Sequence, residues 1–213
     1  MPALDAALRQ DRWASSTYDD AVPMPQTLQG ARVGFVGFGH IGTATWGLFR
    51  AFGARGAAVT GTGRVDAAAA GLDWAAPVAE GLDRLLAESD VVVLSAPLTP
   101  GTRGMIGAEQ LARMRPQALL VNVGRGPLVD EDALFDALSR ERLAGAVLDV
   151  WWRYPRAGST GRPGARAWGE LRNVLLTPHS SGVTRQTFLG RAGDVAENVR
   201  RLGAGEPLLN QLR

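Results

Sequence analysis

The stretch VGFVGFGHIGTATWGLF, residues 33–49, decides the fold of this chain. A short apolar run leads into three glycines spaced G-x-G-x-x-G, namely Gly37, Gly39 and Gly42, and a segment that suits a helix follows. The first glycine permits a tight turn, the second lets an anion approach the backbone, and the third lets helix and strand pack closely. This order predicts a pyrophosphate site at the helix N-terminus, as in dinucleotide-binding folds. A glycine-rich turn without a ligand is the alternative interpretation.

Two side chains occupy the variable positions inside the glycine motif, His40 and Ile41. Both are predicted to lie at the rim of the cofactor site, because the motif places its backbone rather than these side chains against the phosphates. His40 is therefore not expected to be a catalyst.

The stretch that would contact the ribose of a dinucleotide is TGTGR, residues 60–64. An NAD site usually places a carboxylate there to bind the 2′-hydroxyl, but the first carboxylate in this region is Asp66. Hydroxyl groups followed by a guanidinium suit a 2′-phosphate instead. Thr60, Thr62 and Arg64 are thus predicted cofactor contacts, and the sequence favours NADP over NAD. The alternative is that Arg64 is an ordinary surface residue.

Short apolar runs rich in β-branched residues recur along the rest of the chain, at 32–36, 57–61, 91–95, 119–123, 146–150 and 173–177. They lack apolar–polar alternation, which indicates strands that are covered on both faces. Segments that suit helices lie between most of them, at 42–53, 81–88, 107–114 and 130–140. The alternation predicts an α/β fold: a doubly wound, Rossmann-type parallel sheet with helices on both faces.

Three regions follow from these patterns. Residues 1–29 are interpreted as a connecting helix and linker, 30–182 as a dinucleotide-binding domain, and 183–213 as a C-terminal helix and tail. Thr184 is a suitable N-cap for that last helix, which carries one apolar stripe. The Pro-, Gly- and Arg-rich stretch 155–169 predicts a long loop, either functional or disordered.

Composition restricts the function further. The 213 residues contain 23 arginines, no lysine and 21 acidic residues, for a net charge of +2. The positive charges form no block or aromatic-rich stripe, so a nucleic-acid partner is not expected. The apolar runs are too short to span a bilayer, and the N-terminus does not read as a signal peptide. The absence of cysteine fits a cytoplasmic protein, and we predict no metal site.

Four further stretches complete a pattern: SAPLTPGTRGMI (95–106), VNVGRGPLVDEDAL (121–134), GAVLDVWWRYP (145–155) and TPHSSG (177–182). Together with GFGHIG, and in this order, they resemble the nucleotide-binding domain of the D-isomer-specific 2-hydroxyacid dehydrogenases. The resemblance covers roughly residues 5–213. It implies an NAD(P)-dependent oxidoreductase that transfers a hydride between a nicotinamide cofactor and a small 2-hydroxy or 2-keto acid.

The resemblance assigns roles to individual residues. Arg125 matches the arginine that binds the substrate carboxylate, and a planar guanidinium can hold a carboxylate by two hydrogen bonds. Asp149 matches an aspartate near the nicotinamide, and His179 matches the histidine that delivers a proton to the carbonyl. Taken alone, these three would be a solvated arginine, a turn-capping aspartate and a polar residue at a strand end.

Further assignments from the resemblance concern the cofactor. By resemblance, one segment lines the adenosine side through Ser95, Pro97 and Thr102. A second segment shapes the backbone beside the cofactor through Asn122, Val123 and Gly124.

Tyr154 departs from the family pattern, in which a glutamate usually follows the aspartate by five residues and pairs with the histidine. A neutral tyrosine can orient His179 through a hydrogen bond, but it supplies no negative charge, so His179 is expected to be a weaker general acid. Formate dehydrogenases of the family carry a neutral glutamine there, and formate oxidation needs no proton relay. A formate-type hydride transfer is therefore one alternative function.

The second departure is the expected lack of the N-terminal part of the flanking substrate domain. A non-catalytic nucleotide-binding protein is therefore another alternative, because substrate positioning and water exclusion would be weakened. The resemblance also suggests a homodimer in which residues 1–29 take part, with Trp13 and Tyr18 as candidate anchors.

Overall fold

The computed structural model describes residues 2–22, 24, 26–156 and 158–211. The predicted N-terminal linker, the Pro-rich loop and the C-terminal tail each include residues that lie outside this description.

The chain forms two compact units, Met1–Leu176 and Thr177–Arg213. The boundaries predicted at residues 29/30 and 182/183 stay a prediction.

Seven parallel strands form one sheet in the first unit, in the order β3-β2-β1-β4-β5-β6-β7. The strands are β1 Arg32–Val36, β2 Arg55–Thr60, β3 Trp74–Pro77, β4 Val91–Leu94, β5 Leu119–Asn122, β6 Gly145–Leu148 and β7 Val174–Leu176. The chain runs outward from β1 in one direction and then returns past it to β4. This reversal defines a doubly wound sheet, at whose switch point ligands bind beyond the carboxyl ends of the strands.

Helices cover both faces of the sheet. The α-helices of the first unit are α1 Pro2–Leu8, α2 His40–Ala51, α3 Ala67–Ala70, α4 Val78–Glu88, α5 Ala108–Arg113 and α6 Glu131–Ser139, and the second unit contains α7 Arg185–Ala204. Two separate apolar clusters lie inside the first unit. One is centred on Phe35 and Trp46, and the other contains Leu85 and Leu134. Since α2 supplies Trp46 whereas α4 and α6 supply the leucines, the predicted doubly wound α/β fold is confirmed.

The six predicted strands are all present, but β3 was missed. Its sequence, WAAP, has no β-branched residue, and only its pairing with β2 makes it extended. The strand also moves the start of α4 to Val78, three residues before the predicted 81. Tertiary pairing outweighs local propensity here, and the paired strand leads directly into α4.

The long loop predicted at 155–169 folds back onto α6. The Glu131 carboxylate accepts hydrogen bonds from the backbone N–H of Ala165 (2.6 Å) and Arg166 (3.1 Å) and from the Trp168 indole (3.2 Å). The Trp168 ring in turn stacks on Trp152, with 5.1 Å between centroids and 5° between planes. The helix predicted at 130–140 thus begins with two acidic residues that have different roles. Asp130 does cap α6, whereas Glu131 holds the loop.

The second unit is described by itself. The Thr184 hydroxyl caps α7 as predicted, accepting a hydrogen bond from the Thr187 N–H, and Gly205 ends the helix in a left-handed conformation. Hydrogen bonds from Arg200 and then Arg201 lower the pKa of Glu197 to about 2. The apolar stripe stays exposed, since Phe188 and Val195 are 57% and 65% accessible. Within the described residues, no helix is long and apolar enough to cross a membrane.

Glu131→Ala is expected to lower the free energy of unfolding by about 1–3 kcal/mol, because three donors lose one charged acceptor. Glu170→Ala removes an exposed carboxylate from the same loop and serves as the control. Urea denaturation followed by tryptophan fluorescence measures both. Equal stabilities for the two variants would contradict the role given to Glu131.

Candidate active site

A cavity of about 790 Å³ opens at the carboxyl ends of β1, β2 and β4. It lies at the switch point of the sheet, where doubly wound folds bind their ligands. The structure brings eight of the predicted cofactor contacts together in its wall: Gly37, Gly39, Thr60, Thr62, Arg64, Ser95, Pro97 and Thr102.

The glycine turn has the geometry that an anion cradle needs. Gly37 has φ +91°, and a β-carbon there would lie 2.5 Å from the backbone nitrogen of Ala96, so no other residue fits. At Gly39 a β-carbon would meet nothing within 4 Å, so this side of the turn is open. Gly39 also caps α2 without a side-chain hydrogen bond, and the first turn of the helix carries no carboxylate. These residues therefore fit a pyrophosphate group approaching the helix N-terminus.

Gly42, His40 and Ile41 do not belong to the described wall of this cavity. Gly42 is buried, and a β-carbon there would lie 2.8 Å from the carbonyl oxygen of Gly37, which explains the third glycine as a packing requirement. His40 and Ile41 are exposed in the first turn of α2. They lie beside the cavity opening, and their contact with a cofactor stays a prediction.

The loop after β2 presents hydroxyl groups and one cation at the cavity wall. The Thr60 hydroxyl accepts a hydrogen bond from the Gly63 N–H at 3.0 Å, which holds the loop in a tight turn. Arg64 is exposed and forms no ion pair with any residue that the structure describes. Asp66, the nearest carboxylate in sequence, instead caps α3 through the Ala69 N–H. The loop thus offers donors and a positive charge to a ligand.

The wall also has an apolar part that was not predicted from the sequence: Phe38, Val65, Val78, Ala79, Leu82 and Met105. Val78 and Leu82 are four residues apart at the start of α4, so they share one helix face. That spacing in the sequence could have indicated a shared apolar face, but not its position. The position follows from β3, which directly precedes α4 and places its first turns beside the cavity. The apolar face suits a flat heteroaromatic ring.

The segment after β4 closes the opposite wall. The Ser95 hydroxyl donates to the Gly37 carbonyl oxygen at 2.8 Å and so ties this segment to the glycine turn. The Thr102 hydroxyl donates to the Pro97 carbonyl oxygen at 2.8 Å and accepts from the Thr99 N–H at the same distance. Ser95 and Thr102 therefore hold the wall in shape in addition to lining it.

Asn122 builds the loop that presents Arg125. The asparagine is fully buried at the end of β5, where its amide nitrogen donates to the Arg125 carbonyl oxygen (3.1 Å) and its amide oxygen accepts from the Gly124 N–H (3.1 Å). Gly124 and Gly126 pack so closely that a β-carbon at Gly126 would overlap the Trp151 backbone. The GRG turn is thus clamped on both sides of an arginine whose side chain is exposed at the carboxyl edge of the sheet.

Asp149 lies beside this loop. It follows β6, is 3% accessible, and its N–H donates to the Asn122 carbonyl oxygen at 3.2 Å. Val123 is half-buried, and its N–H donates to the Leu94 carbonyl oxygen. The first unit therefore gathers Asn122, Gly124, Arg125 and Asp149 at the ends of two neighbouring strands, next to the cavity edge formed by the β4 segment.

Tyr154 and His179 belong to different units. The Tyr154 hydroxyl accepts a hydrogen bond from the Trp151 N–H at 3.1 Å, and the side chain is 49% accessible. His179 has φ +57°, a conformation uncommon outside glycine, and its N–H donates to the Thr177 carbonyl oxygen at 3.0 Å. Unusual backbone conformations cluster at functional sites. The pairing of Tyr154 with His179, and the placement of His179 toward Arg125, stay predictions.

No cluster of three or more His, Cys, Asp or Glu side chains able to hold a metal ion occurs among the described residues.

Known proteins are similar to this chain in sequence and in fold. Residues 1–181 match the family described as D-isomer specific 2-hydroxyacid dehydrogenase, NAD binding domain. D-3-phosphoglycerate dehydrogenase of Mycobacterium tuberculosis is 37% identical over 207 residues, which is 97% of this chain. Glyoxylate reductase of Korarchaeum cryptofilum is 35% identical over 203 residues, which is 95% of this chain. The crystal structure of a family member from Xanthobacter autotrophicus, in complex with NADPH and MES, superposes with a TM-score of 0.76 and 35% identity over the whole chain.

The chain covers only part of these relatives: 36% of the mycobacterial protein, 58% of the archaeal reductase and 61% of the Xanthobacter chain. The matched part is the one that contains the glycine turn, the GRG loop and the Asp149 strand end. Because the family match spans residues 1–181 of 213, the chain belongs to the D-isomer specific 2-hydroxyacid dehydrogenase family, as its NAD binding domain.

Proposed function

We propose that the chain is the catalytic and cofactor-binding part of an NAD(P)-dependent oxidoreductase acting on a small 2-hydroxy or 2-keto acid. The observation that carries this proposal is one cavity with a bare glycine turn, located at the same sheet edge as the clamped Arg125. A cofactor-binding cleft and a carboxylate-binding arginine are the two parts that this chemistry requires first.

NADP is the proposed cofactor in preference to NAD. The loop after β2 supplies hydroxyl groups and the exposed Arg64, while its nearest carboxylate, Asp66, caps a helix. A guanidinium binds a 2′-phosphate, and a carboxylate would repel it. The Xanthobacter relative in complex with NADPH is consistent with this preference.

The reaction would divide between the cofactor and three side chains. The bound cofactor supplies or accepts the hydride. Arg125 would hold the substrate carboxylate by two hydrogen bonds and stabilise negative charge on the carbonyl oxygen. His179 would give the proton to that oxygen. Tyr154 would orient the His179 side chain through a hydrogen bond without adding a negative charge. The buried Asp149 would lie near the nicotinamide ring.

Two other functions remain as alternatives. The neutral Tyr154 favours a formate-type hydride transfer, since that reaction needs no proton relay. The short coverage of the relatives favours a protein that binds the nucleotide without turnover. We further propose that the chain acts in the cytoplasm as a homodimer. The dimer is supported by the exposed aromatic pair Trp13 and Tyr18, whose rings lie 6.4 Å apart.

An absorbance assay on the 213-residue chain tests the main proposal. NADPH and NADH are each offered with glyoxylate, hydroxypyruvate and pyruvate, and the oxidised cofactors with formate. Keto-acid reduction is expected, with kcat reduced by about 10²–10⁴ in His179→Ala because the proton donor is lost. Arg125→Ala is expected to raise KM for the acid at least about tenfold, since a charged hydrogen-bond partner disappears.

Arg172→Ala removes an exposed arginine that has no part in the site and is the control. Cofactor binding without turnover on any acid would contradict the dehydrogenase proposal and support nucleotide binding alone. Formate oxidation that His179→Ala leaves unchanged would support the formate-type alternative.

Arg64→Ala is expected to weaken NADPH binding about tenfold or more and to leave NADH binding nearly unchanged, because only NADPH carries the 2′-phosphate. Fluorescence titration with each cofactor measures the two dissociation constants. If both cofactors weaken equally, Arg64 does not contact the 2′-phosphate.

The glycine turn permits a paired comparison. Gly37→Ala is expected to destabilise the fold by about 1–3 kcal/mol, since its φ is +91° and Ala96 occupies the space of a β-carbon. Gly39→Ala is expected to cost no more than about 1 kcal/mol in stability. It should nevertheless weaken NADPH binding at least about tenfold, because its methyl group enters the open side of the turn.

Thermal unfolding and cofactor titration of the two variants separate the effects. Unchanged NADPH affinity in Gly39→Ala would show that the phosphates bind elsewhere.

A further inference from the structure

A second cavity, of about 390 Å³, lies at the opposite end of the sheet. The first residues of three neighbouring strands, Arg32, Arg55 and Trp74, form its floor. The strands are parallel, so this cavity is separated from the cofactor cleft by the length of the sheet. It shares no described lining residue with the cleft, and the proposed reaction does not use it.

The floor places two like charges side by side. Arg32 and Arg55 are register partners in β1 and β2, where neighbouring strands lie about 4.8 Å apart. Like charges directly opposite each other destabilise a sheet unless a counter-charge is present. Arg55 is partly compensated by Asp73, whose carboxylate lies 3.0 Å from its Nε. Its two terminal nitrogens remain as donors.

Arg32 differs from Arg55, because its guanidinium forms no ion pair of this kind within the described part of the chain. Its backbone N–H donates to Asp90, but the carboxylate of Asp90 forms its ion pair with Arg115, at 2.8 Å. Among the residues that the structure describes, no side-chain hydrogen bond or ion pair involves the Arg32 guanidinium. An exposed cation therefore faces the cavity beside a second cation.

The second carboxylate of the cavity lining, Glu88, is bonded to Arg84 and Trp74. Glu88 accepts hydrogen bonds from the Arg84 Nε at 2.9 Å and from the Trp74 indole at 3.2 Å. The Arg84 guanidinium also lies over the Trp74 ring, 4.3 Å from its centroid. The Arg84 hydrogen bond is the main reason that the pKa of Glu88 is lowered, with smaller contributions from Trp74 and from the charge of Arg32. Of the three guanidinium groups in the lining, Arg55 pairs with Asp73 and Arg84 pairs with Glu88, so the charge of Arg32 is in excess.

We propose that this cavity binds a small phosphorylated compound, with its phosphate group bridging Arg32 and Arg55. A carboxylate has two oxygens, which one guanidinium fork can satisfy, whereas a phosphate dianion presents enough oxygens for two forks. The bridging phosphate supplies the missing counter-charge to the register pair. The volume exceeds that of a bare phosphate, so the cavity has room for an organic substituent beside the Trp74 wall.

The Trp74 indole N–H is a local probe, because it lies in the cavity wall and donates to Glu88. Its ¹H–¹⁵N signal is assigned with Trp74→Phe and followed during titration of the whole chain with inorganic phosphate and, separately, with glycerol 3-phosphate. Sodium chloride keeps the ionic strength constant. Saturating NADPH is present throughout, so that phosphate binding in the cofactor cleft cannot contribute.

A saturable shift of the Trp74 signal is expected in the wild-type chain. Arg32→Gln and Arg55→Gln should each raise the dissociation constant at least about tenfold, the loss expected for a charged hydrogen-bond partner. Arg172→Gln, which removes an exposed arginine outside the cavity, should leave the constant unchanged.

Tighter binding of glycerol 3-phosphate than of inorganic phosphate supports a phosphorylated compound as ligand. Equal binding of the two supports the phosphate site but overturns the organic substituent. No saturable shift with either probe, or the same constant in Arg32→Gln as in the wild type, overturns the proposal. None of these outcomes depends on dehydrogenase activity.

Discussion

The close approach of three backbone segments at Gly37 is the constraint on which the site depends. The turn after β1 lies against the start of the β4 loop, where Ala96 leaves no room for a side chain, and the Ser95 hydroxyl ties the two together. The Gly37 N–H donates a hydrogen bond to the carbonyl oxygen of Val59, near the end of β2. Since all three strand ends are fixed to one another, the helix N-terminus and the walls of the cavity have a single arrangement. The pyrophosphate of the proposed cofactor would therefore meet a preformed site.

A second constraint of the same kind operates at the other half of the carboxyl edge. The buried amide of Asn122 forms hydrogen bonds with the backbone of Gly124 and Arg125. The glycines on either side of Arg125 pack against neighbouring backbone. Gly126 packs against the backbone of Trp151. The next residue, Trp152, stacks its ring on Trp168, whose indole donates a hydrogen bond to Glu131. The Arg125 side chain is exposed, whereas the asparagine that holds its loop is buried. Support of this kind would lower the entropic cost of binding the proposed substrate.

The two ends of the parallel sheet differ in the kind of polar group that they expose. The carboxyl end offers helix N–H groups, hydroxyls and exposed arginines that include Arg64 and Arg125, and Asp149 is a deeply buried carboxylate there. The amino end brings Arg32 and Arg55 into register, and there Asp73 pairs with Arg55 while Asp90 forms its ion pair with Arg115. The two proposed anion sites therefore differ in their donors. At the carboxyl end backbone N–H groups would provide most of the site, and at the amino end side chains would provide it.

The sequence by itself determined the strand–turn–helix unit, six of the seven strands and the candidate residues Gly37, Gly39 and Arg125. Continuous apolar strands and the positions of glycine are local properties that any solution of the fold must satisfy. Only the tertiary structure decided that WAAP is a strand, since its extended form depends on pairing with β2. It also decided that Glu131 holds a distant loop and that Arg32 faces Arg55. Those contacts join residues far apart in the chain, and no local pattern encodes which of them meet.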